Sequence, residues 1–350
     1  MPVRPSPSFF ASRAAQAAST YSPSAMEQPV DSPAFLHLLA GLLERSVELT
    51  GVHIADAQIL SSGMRSVVVR VRDYRGASCV LKYFRRKDSA RNSGGFGYLR
   101  EKHGLAALEQ VAPGLYPRLL AADDAARLLI LEDVTSGFSS AISLGELLLS
   151  SGADAAPRQA LDTWVDTWAS ILGSPAQAAA QASFAAELAS ADARASAPGS
   201  LPSPQLAVKG LRLLAEREGV PLGSVEFTQM EQAVEGIIYP APSERALSSG
   251  DFSPANLLQL AAPASGVRGI DAEGTCWHHW ALPVAELLLG FPSWPEGPVP
   301  SALSQNQFWK EIARSFYCRI APHPHSDVET DQSVSAAQLT LRAILAEQGN

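Results

Sequence analysis

The sequence predicts an α+β fold in two lobes: a small antiparallel sheet with one accompanying helix, then a larger, mostly helical lobe that carries a β-hairpin. Three observations predict it. Between residues 53 and 84 apolar residues fall in three short runs rich in β-branched side chains, separated by Ser61-Ser62-Gly63 and Asp73-Tyr74-Arg75-Gly76. Between 141 and 240 the apolar residues recur at the spacing of amphipathic helices. Then Ser249-Gly250-Asp251-Phe252-Ser253-Pro254-Ala255-Asn256 breaks the helical pattern. It delivers one carboxylate and, five residues on, one carboxamide, at the mouth of a hairpin whose second strand, Val267 to Ile270, ends on Asp271.

Length and charge bound what such a chain does. A length of 350 residues suits one two-lobed unit, and 46% apolar residues suffice for a sizeable core. The formal net charge of -8 argues against a nucleic-acid surface or an anionic membrane as partner. Cys79, Cys276 and Cys318 are odd in number and far apart, so they frame no disulfide and no zinc site, and the expected compartment is the cytoplasm. Glu286 interrupts the longest apolar run, Leu282 to Phe291, well short of a membrane span. The expected assembly is a monomer or a homodimer.

Residues 1–33 are rich in Ser, Ala and Pro, with Arg4 and Arg13 the only charges before Glu27, and read as a disordered tail. That composition mimics an organellar targeting segment, while a true start at Met26 is the plainer account. Ser32-Pro33 opens a helix with apolar residues from Phe35 to Leu49 at helical spacing, and Gly51 ends it. Strands follow at Ile54 to Leu60, Val67 to Arg72 and Ser78 to Phe84. The third carries Lys82 inside an apolar run, and a buried ammonium requires an anion. On the next helix, Tyr98 to Leu108, Glu101 is the natural partner, the plainer alternatives being an edge-strand lysine snorkelling to water and a glutamate on a solvated helix face.

Two further strands come next, the second running from Ala126 to Leu131 into Glu132-Asp133-Val134. Helices are expected at 144–149, 160–172, 176–193, 205–218 and 224–238, with Trp164, Trp168 and Leu172 one turn apart as core and a Pro-rich loop over 196–204. Beyond the hairpin lie a buried helix at 281–289, a Pro/Gly loop at 290–300 and two terminal helices near 305–320 and 333–347. His323 and His325 sit in a Pro-rich turn and read as surface. The lobes are thus bounded at 34–134 and 135–350, after the tail 1–33.

Lys82, Glu101, Asp251, Asn256 and Asp271, in that order, resemble the motifs of the aminoglycoside phosphotransferase-type small-molecule kinases, a branch of the protein-kinase-like fold. The resemblance covers roughly residues 50–320, and the Asp251–Asn256 spacing between two strands is its specific part. It implies transfer of the γ-phosphate of ATP or GTP to an alcohol of a small molecule: a sugar, amino sugar or amino alcohol. Asp251 is then the catalytic base, and Asn256 and Asp271 hold Mg2+. Lys82 contacts the phosphates and Glu101 positions it. Ser62, Gly63 and Ser66 cover the phosphates from the first turn, and backbone groups at Glu132 and Val134 meet the base. Glu273, His278 and Trp280 are acceptor-site candidates by proximity to Asp271, as are Trp277 and Glu286, with packing against the helical lobe an equal account of the segment 277–280.

Two positions depart from the pattern. Ser249 stands where such kinases carry His, and Pro283 stands where they carry a second Asp, twelve residues beyond the metal Asp. Both missing groups are supports. Two function classes follow, an active phosphotransferase and a nucleotide-binding pseudo-kinase, and retention of Asp251, Asn256 and Asp271 together favours the enzyme.

Overall fold

The computed structural model describes residues 5–21, 30, 32–85, 97–150, 155–192, 204–261, 266–294, 299–323, 327–328 and 331–348. The chain divides into two units, 1–92 with 117–137, and 93–116 with 138–350.

The first unit contains helices α1 (Pro7–Ser19) and α2 (Pro33–Thr50) and strands β1 (Ile54–Ser62), β2 (Ser66–Asp73), β3 (Ser78–Phe84), β4 (Leu119–Asp123) and β5 (Leu128–Glu132). The strands form one sheet in the order β1-β2-β3-β5-β4, every pair antiparallel. Helix α2 begins where Ser32 accepts the N–H of Phe35, and it ends at Gly51, whose φ of 70° few other residues adopt. Its Phe35, Leu39, Leu42 and Leu43 pack on the inward residues of the strands, among them Ile59, Val69, Leu81 and Ile130.

The expected disordered tail is a helix in part. α1 buries Phe10, Ala14 and Ala17, spaced for one helical face, in the same cluster. An alanine stripe carries little hydrophobic contrast, so composition understated it. Residues 1–4, 22–29 and 31 lie outside the described ones.

The second unit holds α3 (Tyr98–Val111), β6 (Ala141–Ser143), α4 (Leu144–Leu149), α5 (Ala155–Leu172), α6 (Gln177–Ala191), α7 (Pro204–Glu218) and α8 (Val225–Ile238). It continues with β7 (Arg245–Ser248), β8 (Leu257–Leu260), β9 (Gly266–Gly269), β10 (Cys276–His279), α9 (Ala281–Leu288), a helical turn at Ser301–Ser304, α10 (Gln307–Ile320) and α11 (Gln332–Gln348). Two small sheets carry the site, β6-β8-β9 and β7-β10. Strands β6, β7 and β10 were not expected, since three or four residues are too few to display an alternation.

Trp164 and Trp168 form core, as their spacing suggested. Trp164 meets Phe291 and Phe316 edge-on, and Trp168 meets Phe252. Helix α3 groups with this unit and not with the sheet it follows in sequence. Gly97 N–H donates to the Glu273 carbonyl at 2.8 Å and Arg100 Nη1 to the Thr275 carbonyl at 2.7 Å. Gly104 leaves no room for a Cβ against the Thr275 side chain. Most of the expected loop at 196–204, residues 295–298 and His325 fall outside the described residues, and His323 is exposed. No helix among the described residues is long and apolar enough to cross a membrane.

Candidate active site

Strand β7 ends at Ser248, opposite Cys276 of β10, and hands the chain to the loop that bears Asp251. Gly250 has φ 73°, and a Cβ there would collide with the Gly274 carbonyl oxygen, so only glycine fits. The Asp251 carboxylate accepts the N–H of Ser253 at 2.9 Å, an Asx turn that fixes its direction. Ser253 in turn accepts from Ala255 N–H, and Pro254–Asn256 close a single 3-10 turn. On the far side Phe252 is buried against Trp168 and His278, and its carbonyl takes the indole N–H of Trp164 at 3.1 Å. Asp251 is therefore a half-buried carboxylate on backbone anchored at both neighbours.

The hairpin β8–β9 brings Asn256 and Asp271 together. Leu257 pairs with Gly269, and Ile270 N–H donates to the Asn256 carbonyl at 2.9 Å, so the two side chains leave adjacent points of the ladder. Asp271 has φ 61°, a left-handed conformation that Asp tolerates better than most residues and that is concentrated at functional sites. Gly269 N–H bonds to the Leu115 carbonyl.

Beside Asp271 stand two more carboxylates. Glu101 of α3, Asp271 and Glu273 each present an oxygen within 4.8 Å of the others, with Glu101 1% and Glu273 3% exposed. Buried carboxylates this close repel unless a cation or a shared proton intervenes. A hard divalent cation with oxygen ligands, such as Mg2+, fits the set. Glu101, expected as the partner of Lys82, is one member of this carboxylate set.

The first unit contains the remaining candidates. Lys82 lies on β3 at 5% exposure, its Nζ 5.3 Å from the Phe84 ring centroid. Ser62 is buried at the end of β1 and accepts from Arg85 Nη2 at 2.7 Å, a Cβ on Gly63 would meet the Ser66 carbonyl oxygen at an ordinary 3.9 Å, and Ser66 begins β2. Glu132 pairs with Cys79 in the sheet and its carboxylate accepts the Arg118 N–H at 3.1 Å, while Val134 is buried. Between them Asp133 organises the turn, a role the sequence did not announce. Burial opposes its charge, but donation from Ser78 and Thr135 and the Arg70 guanidinium at 2.9 Å outweigh that and hold its carboxyl below the ordinary aspartate value.

Of the acceptor-site candidates, Glu273 joins the carboxylate cluster, and Trp280 is buried against Tyr317 and His279 as packing. His278 is corrected from substrate contact to internal support: one ring nitrogen lies 2.8 Å from Ser248 Oγ and the other 3.0 Å from the His279 carbonyl. Glu286 on α9 is 2% exposed. Ser293 donates to its Oε1 at 2.6 Å, and among the described residues its Oε2 is buried with no hydrogen-bond partner, as is the indole N–H of Trp294. Burial first, and the nearby Asp251 charge, push its carboxyl up to about 7 against the pull of Ser293.

The chain shares its kinase-like fold, an antiparallel sheet followed by a mostly helical part, with small-molecule kinases and phosphotransferases of known structure. An ethanolamine kinase of Plasmodium vivax matches it with a TM-score of 0.54 at 12% identity, over 97% of this chain and 90% of that one. A macrolide 2′-phosphotransferase type I matches with a TM-score of 0.50 at 14% identity, over 88% and 89%. No family model matches the chain. No curated protein sequence does either.

Proposed function

We propose that the protein is a phosphotransferase that moves the γ-phosphoryl group of ATP or GTP to a hydroxyl of a small molecule. The observation that carries the reading is the hairpin geometry: an oriented carboxylate, Asp251, one short loop away from Asn256 and from the carboxylates clustered around Asp271. The fold shared with an ethanolamine kinase and a macrolide phosphotransferase supports it. Phosphoryl transfer asks a protein mainly for positioning and charge neutralisation, and these residues offer both.

In this reading Asp251 orients the acceptor hydroxyl and takes its proton, its carboxylate already aimed by the Ser253 N–H. Asn256, Asp271, Glu273 and Glu101 would hold Mg2+, which supplies neutralisation of the phosphate charge when bound. Lys82 contributes the phosphate contact from β3, and the backbone at Glu132 and Val134 the contact to the base. Glu286 favours an acceptor that carries an ammonium or hydroxyl donor, because its buried Oε2 meets none among the described residues. Amino alcohols and amino sugars meet that requirement.

Asp251→Asn tests the reading, since it preserves shape and removes the charge that accepts the proton. Calorimetric affinity for Mg-ATP should stay within a few-fold, while turnover falls by roughly 10² to 10⁴, the usual share of general base catalysis. Asp271→Asn should instead weaken metal and nucleotide together. If wild type binds Mg-ATP yet phosphorylates no alcohol in a broad screen, and Asp251→Asn behaves identically, the protein is a nucleotide-binding module and not an enzyme.

A further inference from the structure

The backbone ahead of Asp251 is approached by two polar groups from distant parts of the chain. The first is His278 on β10. Its Nδ1 lies 3.0 Å from the His279 carbonyl oxygen, which can only accept, so Nδ1 carries the proton and Nε2 is left as an acceptor. Ser248 Oγ, 2.8 Å from Nε2, therefore donates its proton to the ring. The same oxygen accepts the N–H of Gly250 at 3.1 Å. The three hydrogen bonds run in one direction, from Gly250 through Ser248 and the imidazole to the His279 carbonyl.

The second group is Tyr116, which donates to Ser249 Oγ at 3.1 Å. Its ring is fixed where Gly269 lacks a side chain, since a Cβ there would sit 2.6 Å from the ring. Tyr116 thus touches both the residue two before Asp251 and the residue two before Asp271.

We propose that the Ser248–His278 and Tyr116–Ser249 pairs are positioning residues for Asp251, a brace of hydroxyls and one imidazole that sets the backbone on which the carboxylate is aimed. The inference rests on Asp251 being the base of the phosphoryl transfer proposed above. It accounts for Ser249 at the position where the resemblance leads one to expect His: the imidazole is delivered from β10, and its partner hydroxyl is one residue earlier. Burial keeps that imidazole neutral, pressing its titration down to about 4, so Nε2 remains an acceptor across the working range. Both pairs are fully buried, where a hydrogen bond is not exchanged for one with water.

The test uses the full chain and separates positioning from packing. His278→Gln sets an amide oxygen near the place of Nε2, whereas His278→Asn does not reach it; both lose the ring that packs on Phe252. The brace requires kcat to fall roughly tenfold in Ser248→Ala and in His278→Asn, with the KM for nucleotide unchanged, the scale of one hydrogen bond. His278→Gln should recover most of that loss, and Ser248→Ala/His278→Asn should be no worse than either single variant.

Amide exchange at Gly250 gives a readout that needs no turnover: it should accelerate in Ser248→Ala and in His278→Asn but not in His278→Gln. If no alcohol is phosphorylated, exchange still decides the brace, and only the phosphotransferase reading has failed. Equal losses in the Gln and Asn variants, or an unchanged kcat in Ser248→Ala with normal wild-type turnover, overturn the proposal. Tyr116→Phe, which keeps the ring over Gly269, is the milder variant should the others fold poorly, and an unchanged kcat there removes Tyr116 from the brace.

Discussion

Glu101, Asp271 and Glu273 bring three carboxylate oxygens within 4.8 Å of one another, and the mutual repulsion of like charges at that distance is relieved by a bound cation. That repulsion can be measured. Glu101→Gln keeps the side chain's shape and removes one negative charge. In saturating Mg2+ it should lose part of the metal-induced gain in unfolding midpoint that wild type shows over EDTA. A tenfold weaker affinity removes about 1.4 kcal/mol of that gain. If Mg2+ shifts the midpoints of wild type and Glu101→Gln equally, Glu101 does not serve the cation, and its role is that of a partner to Lys82. The spacing of Asp251 and Asn256 made these positions legible in the sequence because both lie in one short loop. The contact of Tyr116 with Ser249 spans 133 residues and joins two ordinary hydroxyls, so no local signal announces it.

Elements were readable where they were long. Helices α5 to α8 and the meander β1–β3 bury enough residues for the period of apolar side chains to declare itself. The short strands β7 and β10 did not, and β10 reads Cys-Trp-His-His, a composition that suggests a site more than a strand. Yet it is this pairing that delivers His278 to Ser248. Helix α1 was missed for the opposite reason: its buried face is mostly alanine. Its energetic weight rests on Phe10, buried with Ala14 and Ala17 in the cluster that α2 and the sheet share. Phe10→Ala should lower the unfolding free energy by about 3 kcal/mol, the low end for a core Phe. An unchanged urea midpoint would mean that α1 does not dock and that the tail is as its composition first suggested.

At the scale of the molecule, two buried titratable groups set opposing dependences of stability on pH. His278 titrates at about 4 when folded, against 6.5 ordinarily. Between those values the unfolded chain binds a proton that the folded one refuses, so acidification through the window removes stability, up to about 3 kcal/mol. Glu286 is the reverse case. Its carboxyl titrates at about 7 when folded, against 4.5 ordinarily, so between those values the folded chain holds a proton that the unfolded one has released. Stability is then lost as pH rises through that window, again by up to about 3 kcal/mol, and the loss is complete above pH 7. The two slopes largely offset each other from pH 4.5 to 6.5, and His279, also depressed by burial, adds to the acid side.

Glu286→Gln isolates one slope, since the amide cannot ionise and still accepts from Ser293. Relative to wild type it should gain about 3 kcal/mol more at pH 8 than at pH 4.5, read from urea unfolding at both values. The physical cause is that wild type at pH 8 carries a buried charge beside Asp251 that the variant lacks. A stability difference that is the same at both pH values would show Glu286 titrating as an ordinary surface carboxyl. It would also remove the reason for assigning it to the acceptor, because a solvated carboxylate has no unmet need for a donor.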